Sequence, residues 1–294
     1  MYHQLYNLDV KACDVENITV VGKVVTITSA CLTALAILYW LFLQIYMPES
    51  SIYYTVFTFF LIALPLLGII NGILIQKAWG GFESFVGRSV ICTSAGLMMW
   101  ALGMGISTYL EIANHEIPYP GIPDYFFVLI DPLYALSLVS IMRFSGARTN
   151  MKRVWALFLL FTIPLISIFI NFKIFFGSTD YFETIDYPVV FNIIYTFGSV
   201  LVMILAVLTI VLSITRLGGK MRLAIYMLFL GIVLQYMGDI TYSILLSKDS
   251  LYSGNLSDFI YFLSIAFVTI GLSRLNTDRL NGGNGISVDN GVVS

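Results

Sequence analysis

Apolar positions along this chain neither alternate nor recur at helical spacing. They come in long runs separated by short polar segments, at about 22–46, 52–76, 88–112, 123–143, 152–176, 187–215, 220–247 and 257–275. About 20 mostly apolar residues are needed to cross the roughly 30 Å of bilayer hydrocarbon. Unpaired backbone groups are too costly in lipid for such a run to be anything but a helix. The pattern therefore predicts an all-α integral membrane protein with eight transmembrane helices. The first two runs flank "MPES"; a single helical hairpin is the alternative there, but each run is long enough to cross alone. Composition agrees, with 59% of the 294 residues hydrophobic, 11% charged and a mean hydropathy of +0.89. Soluble domains carry about a quarter charged residues.

Basic residues fix an expected orientation. With the N-terminus inside, Lys11, Lys23, Lys77, Arg88, Arg143, Arg148, Lys152, Arg153, Arg216, Lys220, Arg222, Arg274 and Arg279 all fall on the cytoplasmic side. Only Lys173 and Lys248 fall outside, a split of 13 to 2 that follows the positive-inside rule and puts both termini in the cytoplasm of a cell-membrane protein. The "NIT" sequon at Asn17 then lies on the wrong side for glycosylation. The first 20 residues carry acids and no apolar core, so no cleavable signal peptide is expected. Cys13, Cys31 and Cys92 are scattered and read as packing residues. A net charge of −2 offers no case for nucleic acid; the bilayer is the expected partner.

The chain repeats itself. At an offset of 134 to 135, Arg88 aligns with Arg222, Gly96 with Gly231, Gly103 with Gly238, Asp124 with Asp258, Phe127 with Tyr261 and Leu138 with Leu272. A four-helix unit duplicated in parallel explains this, with the halves related by an axis along the membrane normal. The expected organisation is a cytoplasmic tail over 1–21, repeats over 22–143 and 144–275, and a disordered Gly/Asn-rich tail over 276–294.

The stretch "HEIPYPGIPDYFFVLIDPLY" concentrates prolines and acids at the outer end of the fourth run. Asp124 and Asp258 open helices and suit a cap or first turn. Asp131 and Asp239 lie deeper, each about 12 Å inside the outer boundary at 1.5 Å per residue. Buried acids cost about 2.5–3.5 kcal/mol on insertion scales and face the bundle interior or water. With no base at their depth, each must be protonated, hydrogen-bonded, hydrated or cation-bound. Polar stripes run beside them: Gln235, Asp239 and Tyr242; Trp100, Gly103, Ser107, Glu111 and Asn114; Asn192, Tyr195 and Ser199. The candidate ligand-binding set is Asp131, Asp239, Glu111, Asp124, Trp100, Gln235 and Tyr242, with no catalytic residue, cofactor or metal identified. The bland alternative is interhelical hydrogen bonding, and for Asp131-Pro132 a kinked restart of the helix. "GIING" at 68–72 has the spacing of close helix contact. His115 beside Glu116 is a lone loop histidine.

Trp100, Glu111, Pro118, Pro120, Pro123 and Asp124, with Gly238-Asp239 in the second half, resemble an eight-helix prokaryotic membrane domain. That domain is found at the front of diguanylate cyclases, cyclic-dinucleotide phosphodiesterases and sensor kinases. The likeness covers about half the chain, and Gly103-Met104 lacks the acid expected in the first half. It implies a sensory or small-ligand-binding module. Those relatives carry a cytoplasmic output domain and none is read here, so the output is expected to belong to a partner protein. Competing readings stay open: a proton- or ion-coupled transporter, a structural subunit of a membrane complex, or an intramembrane hydrolase with paired aspartates. "YMGD" approaches the Gly-x-Gly-Asp element of aspartyl proteases, but Tyr236 replaces its first glycine. Every lysine sits at a span end, which argues against a retinal Schiff base.

Overall fold

Long apolar runs become long helices. The structure is a computed structural model that describes residues 12–47, 51–113, 115, 119–145, 162, 165–166, 169, 187–213, 219–248 and 250–282. The helices are α1 (Ala12–Tyr46), α2 (Ser51–Ala78), α3 (Phe85–Ile112), α4 (Ile122–Val128), α5 (Ile130–Phe144), α6 (Tyr187–Ser213), α7 (Gly219–Ser247) and α8 (Leu256–Gly282). Among the described residues, seven helical stretches are long and apolar enough to cross a membrane, α4 and α5 counting together as one from Ile122 to Phe144. This is the make-up of a multi-pass membrane protein, and the seven coincide with seven of the predicted runs. The fifth run, 152–176, lies outside the described residues except at 162, 165, 166 and 169. Two boundaries differ from expectation. Helix α1 begins at Ala12, inside the predicted tail, and α8 continues to Gly282, past residue 275; the rest of that tail lies outside the described residues.

Packing follows a path around a central space. Helix α2 packs on α3 and α8, α3 on α5, α5 on α6, α6 on α7, and α7 on α8, while α1 lies over α2 and α8. Leu35, Leu38 and Ile45 of α1 are exposed, a face suited to lipid. Phe57, Leu61 and Leu64 of α2 meet Leu97 of α3 and Phe262 and Leu272 of α8 in the shared core. Small residues allow the closest crossings. A Cβ on Gly231 would lie 2.6 Å from Val268 Cγ2, and Ser264 donates to the Gly231 carbonyl at 2.7 Å. In the 68–72 motif, Gly68 faces Leu97 and Thr269, and Gly72 faces Ser94. Between α3 and α5 the contact is polar: Ser89 and Thr93 each meet the Ser137 hydroxyl at 2.8 Å.

The break between α4 and α5 positions the site. Pro132 has no N–H to give the Val128 carbonyl, and its ring crowds that carbonyl. Helix α4 ends at Val128 and α5 restarts at Ile130, the kinked restart that Asp131-Pro132 predicts.

Candidate functional site

A cavity of about 510 Å3 opens between α3, α4, α6, α7 and α8, reached also by Thr58 of α2. It lies at the end of the bundle where α3 finishes, α4 begins, and α7 turns through residues 250–255 into α8. The three polar stripes converge on it. Trp100, Ser107 and Glu111 come from α3, Asn192, Tyr195 and Ser199 from α6, and Gln235, Asp239 and Tyr242 from α7. Asp124 and Asp258 complete the acidic lining, and no Lys, Arg or His is among the described lining residues. Six of the seven candidate residues therefore share one cavity. Asp131, the seventh, sits against its wall.

The outer acids are held by turns. Asp124, in the first turn of α4, accepts from the Gly121 N–H at 2.7 Å through Oδ2. Asp258 does the same at the start of α8, accepting from the Gly254 N–H at 2.7 Å. The cap of α8 is Asn255, whose Oδ1 accepts from Ser257 N–H at 2.7 Å, Ser257 Oγ at 2.6 Å and Asp258 N–H at 3.2 Å. Glu111 Oε1 accepts from Ser253 Oγ at 2.9 Å, which fastens α3 to the 250–255 turn. That turn is fixed from the other side by α1: Trp40 Nε1 donates to the Gly254 carbonyl at 3.0 Å, and its ring stacks on Phe259 at 4.1 Å.

The inner acids meet. Asp239 Oδ1 accepts from the Tyr261 hydroxyl at 2.8 Å, and Oδ2 from the Ser199 hydroxyl at 2.8 Å. The same Ser199 Oγ lies 3.4 Å from Asp131 Oδ2. One hydroxyl hydrogen serves one carboxylate at a time, and the shorter contact belongs to Asp239. Asp131 is 9% exposed and leans away from its own helix end onto α6, so it does not cap α5. Gly198 makes that approach possible: a Cβ there would lie 2.5 Å from Asp131 Oδ2.

Aromatic rings form the rest of the wall. Trp100 is 5% exposed, with ring centroids 5.3 Å from Phe127 and 5.0 Å from Tyr261. Its buried Nε1 has no hydrogen-bond partner among the described residues. Each flanking ring rests on a glycine of the neighbouring helix. A Cβ on Gly103 would lie 2.5 Å from Phe127 Cε1, and one on Gly238 2.5 Å from Tyr261 Cδ1. Gln235 Oε1 lies 3.3 Å from Ser264 Oγ. From the 119–121 turn, Tyr119 donates to Asn192 Oδ1 and so ties the loop to α6.

His115 is exposed and does not line the cavity, while Asn114, Glu116 and Pro118 lie outside the described residues. No group of three or more His, Cys, Asp or Glu among the described residues is placed to hold a metal. Sequence reasoning missed Gly198, Tyr252, Ser253 and Asn255. A glycine in mid-helix was a signal for the first; nothing local marked the other three as lining the cavity. Compared with known protein families, curated proteins and solved structures, the chain matches none.

Proposed function

We propose that this is a cell-membrane sensory or ligand-binding module, whose polar cavity faces outward and whose occupancy is passed to a partner protein. The observation that carries the reading is one cavity of about 510 Å3 lined by Trp100, Glu111, Asp124, Gln235, Asp239 and Tyr242, with Asp131 against it. Its volume falls within the roughly 300–1,000 Å3 of small-molecule sites. Uncompensated carboxylates inside a membrane protein are costly to keep unless they serve a ligand or an ion. The outward orientation rests on the distribution of Lys and Arg, which puts the 113–121 and 248–255 turns outside and both termini inside.

Eight spans in two parallel repeats remain the preferred topology. Support comes from contacts that recur at the sequence offset. Gly103 backs Phe127 as Gly238 backs Tyr261, and Asp124 closes its turn as Asp258 does. A second reading, proton- or ion-coupled transport, is favoured by the inner acids sharing the Ser199 hydroxyl. Hydrolysis is disfavoured by the same geometry, because Ser199 Oγ occupies the place between the carboxylates where an attacking water would sit.

The test is thermal unfolding of the purified protein in detergent against a panel of amino acids, sugars, amines, nucleotides and divalent cations. A true ligand stabilises saturably, by about 2.7 kcal/mol at a hundredfold excess over Kd. Asp239→Asn should remove that shift. A panel-wide absence of saturable shifts would sink the binding reading, and uptake by proteoliposomes would favour transport.

A further inference from the structure

Two buried side chains in the cavity wall carry polar groups that the protein leaves unanswered. Trp100 is 5% exposed and lines the cavity between Phe127 and Tyr261, and its Nε1–H finds no acceptor among the described residues. Gln235 is 9% exposed and lines the same cavity from α7. Ser264 Oγ spends its one hydrogen on the Gly231 carbonyl at 2.7 Å, and one end of the Gln235 amide lies 3.3 Å from that oxygen. The other end has no partner among the described residues. Native interiors leave few such groups unsatisfied. The two positions also correspond in sequence: at the offset of 135 that relates Gly96 to Gly231 and Gly103 to Gly238, Trp100 falls on Gln235.

The chemistry of an occupant follows from what these groups need. The indole N–H only donates, so the occupant must accept. The amide can be turned with either its oxygen or its nitrogen toward the cavity, and a hydroxyl completes both. One turn above Gln235, about 6 Å along α7, is the Asp239 carboxylate, which needs donors. Asp124 Oδ1 also lines the cavity with no partner among the described residues. An anion placed to accept from Trp100 would be repelled by Asp239, with no Lys, Arg or His among the described lining residues to offset it. An ammonium could answer the acids but offers the indole nothing. A hydroxyl donates to the one and accepts from the other without charge. Water could do the same, but it would leave the rings of Trp100, Phe127 and Tyr261 uncovered. These form one continuous wall, with Trp100 5.3 Å from Phe127 and 5.0 Å from Tyr261 between centroids. The C–H face of a sugar ring is apolar and lies flat against such a wall.

We infer that the cavity binds an uncharged sugar or cyclic polyol, its ring against Trp100, Phe127 and Tyr261, its hydroxyls completing the Trp100 indole and the Gln235 amide at one end and donating to Asp239 and Asp124 at the other. This rests on the ligand-binding reading above and names its ligand class.

The experiment is thermal unfolding of the full chain in a polyoxyethylene detergent, which has no sugar headgroup to compete. The probes are D-glucose, D-galactose, D-mannose, D-ribose and myo-inositol, with glutarate, putrescine and glycine betaine beside them. All stay at or below about 10 mM, under the range where sugars stabilise proteins by exclusion from their surface. At least one of the five polyols should stabilise saturably, and the three charged probes should do nothing. Trp100→Phe keeps a ring and removes the N–H; Gln235→Met keeps the length and removes the amide. Each should raise the half-maximal concentration of the responding polyol about tenfold. If Trp100→Phe does not fold, Gln235→Met alone decides. No saturable response to any of the five, or a response that either folded variant leaves unchanged, overturns the assignment. A saturable response to a charged probe that Asp239→Asn removes would overturn the polyol class and leave the binding reading standing. Silence from all eight probes would sink both.

Discussion

Gly198→Ala is the substitution whose consequence depends most sharply on the inner acids. In an ordinary helix the change from glycine to alanine stabilises by about 1 kcal/mol. Here the added methyl would lie 2.5 Å from Asp131 Oδ2 and 3.2 Å from its Cβ and Cγ. Relieving such a clash costs about 1–3 kcal/mol. It also pushes the carboxylate off Ser199, a contact already long at 3.4 Å. The net expectation is a loss of up to about 2 kcal/mol in place of a gain of about 1. Removing the Asp131 carboxylate should restore the ordinary sign. In an Asp131→Ala background the Oδ2 and Cγ contacts vanish and only the 3.2 Å approach to Cβ remains. The pair should therefore show a coupling of about 1–3 kcal/mol, within the range seen for contacting residues. Unfolding in mixed micelles titrated with sodium dodecyl sulfate, on the four members of the double-mutant cycle, measures it. A Gly198→Ala gain that is equal in both backgrounds would show that Asp131 does not lie against α6.

Three further outcomes follow from the same contacts. Ser199→Ala takes the donor from Asp239 Oδ2 and the nearest hydroxyl from Asp131, and should cost about 1–3 kcal/mol in the same unfolding assay, with Ser199→Thr costing less. Gly238→Ala should drive the Tyr261 ring off Asp239 and lose about 1–3 kcal/mol; combined with Tyr261→Phe the losses should be less than additive, since both act on the one hydrogen bond. Asn255→Ala uncaps α8 and should cost about 1 kcal/mol, with faster hydrogen exchange at the Ser257 and Asp258 amides.

Much of this site can be read from residue spacing, because lipid leaves few options. Acids in apolar runs must face inward, so stripes at i, i+4 and i+7 on different helices meet in the interior. That is why Glu111, Asn192, Ser199, Gln235 and Asp239 share a cavity. The kink at Leu129 was legible too, since Pro132 acts on its own helix. Other features depend on distant partners. Asp131 turns to Ser199 because Gly198, on a different helix, lacks a side chain, and no local pattern around Asp131 carries that information. The 250–255 turn, which lines the cavity, is tied to α1 because Trp40, 214 residues earlier, donates to the Gly254 carbonyl. Met104, at the position where the resemblance implies an acid, lines the cavity together with Asp239.

The side of the membrane to which the cavity opens is tested most directly by cysteine accessibility in intact cells. Cys13→Ala, Cys31→Ala and Cys92→Ala clear the background of the three native cysteines. Single reporters then go in at Ser253, in the cavity mouth, and at Phe82, in the turn at the opposite end of α3. An outward-facing cavity predicts that a membrane-impermeant maleimide labels Ser253→Cys in intact cells and labels Phe82→Cys only after permeabilisation. Labelling of Phe82→Cys alone in intact cells would contradict it and turn the cavity toward the cytoplasm.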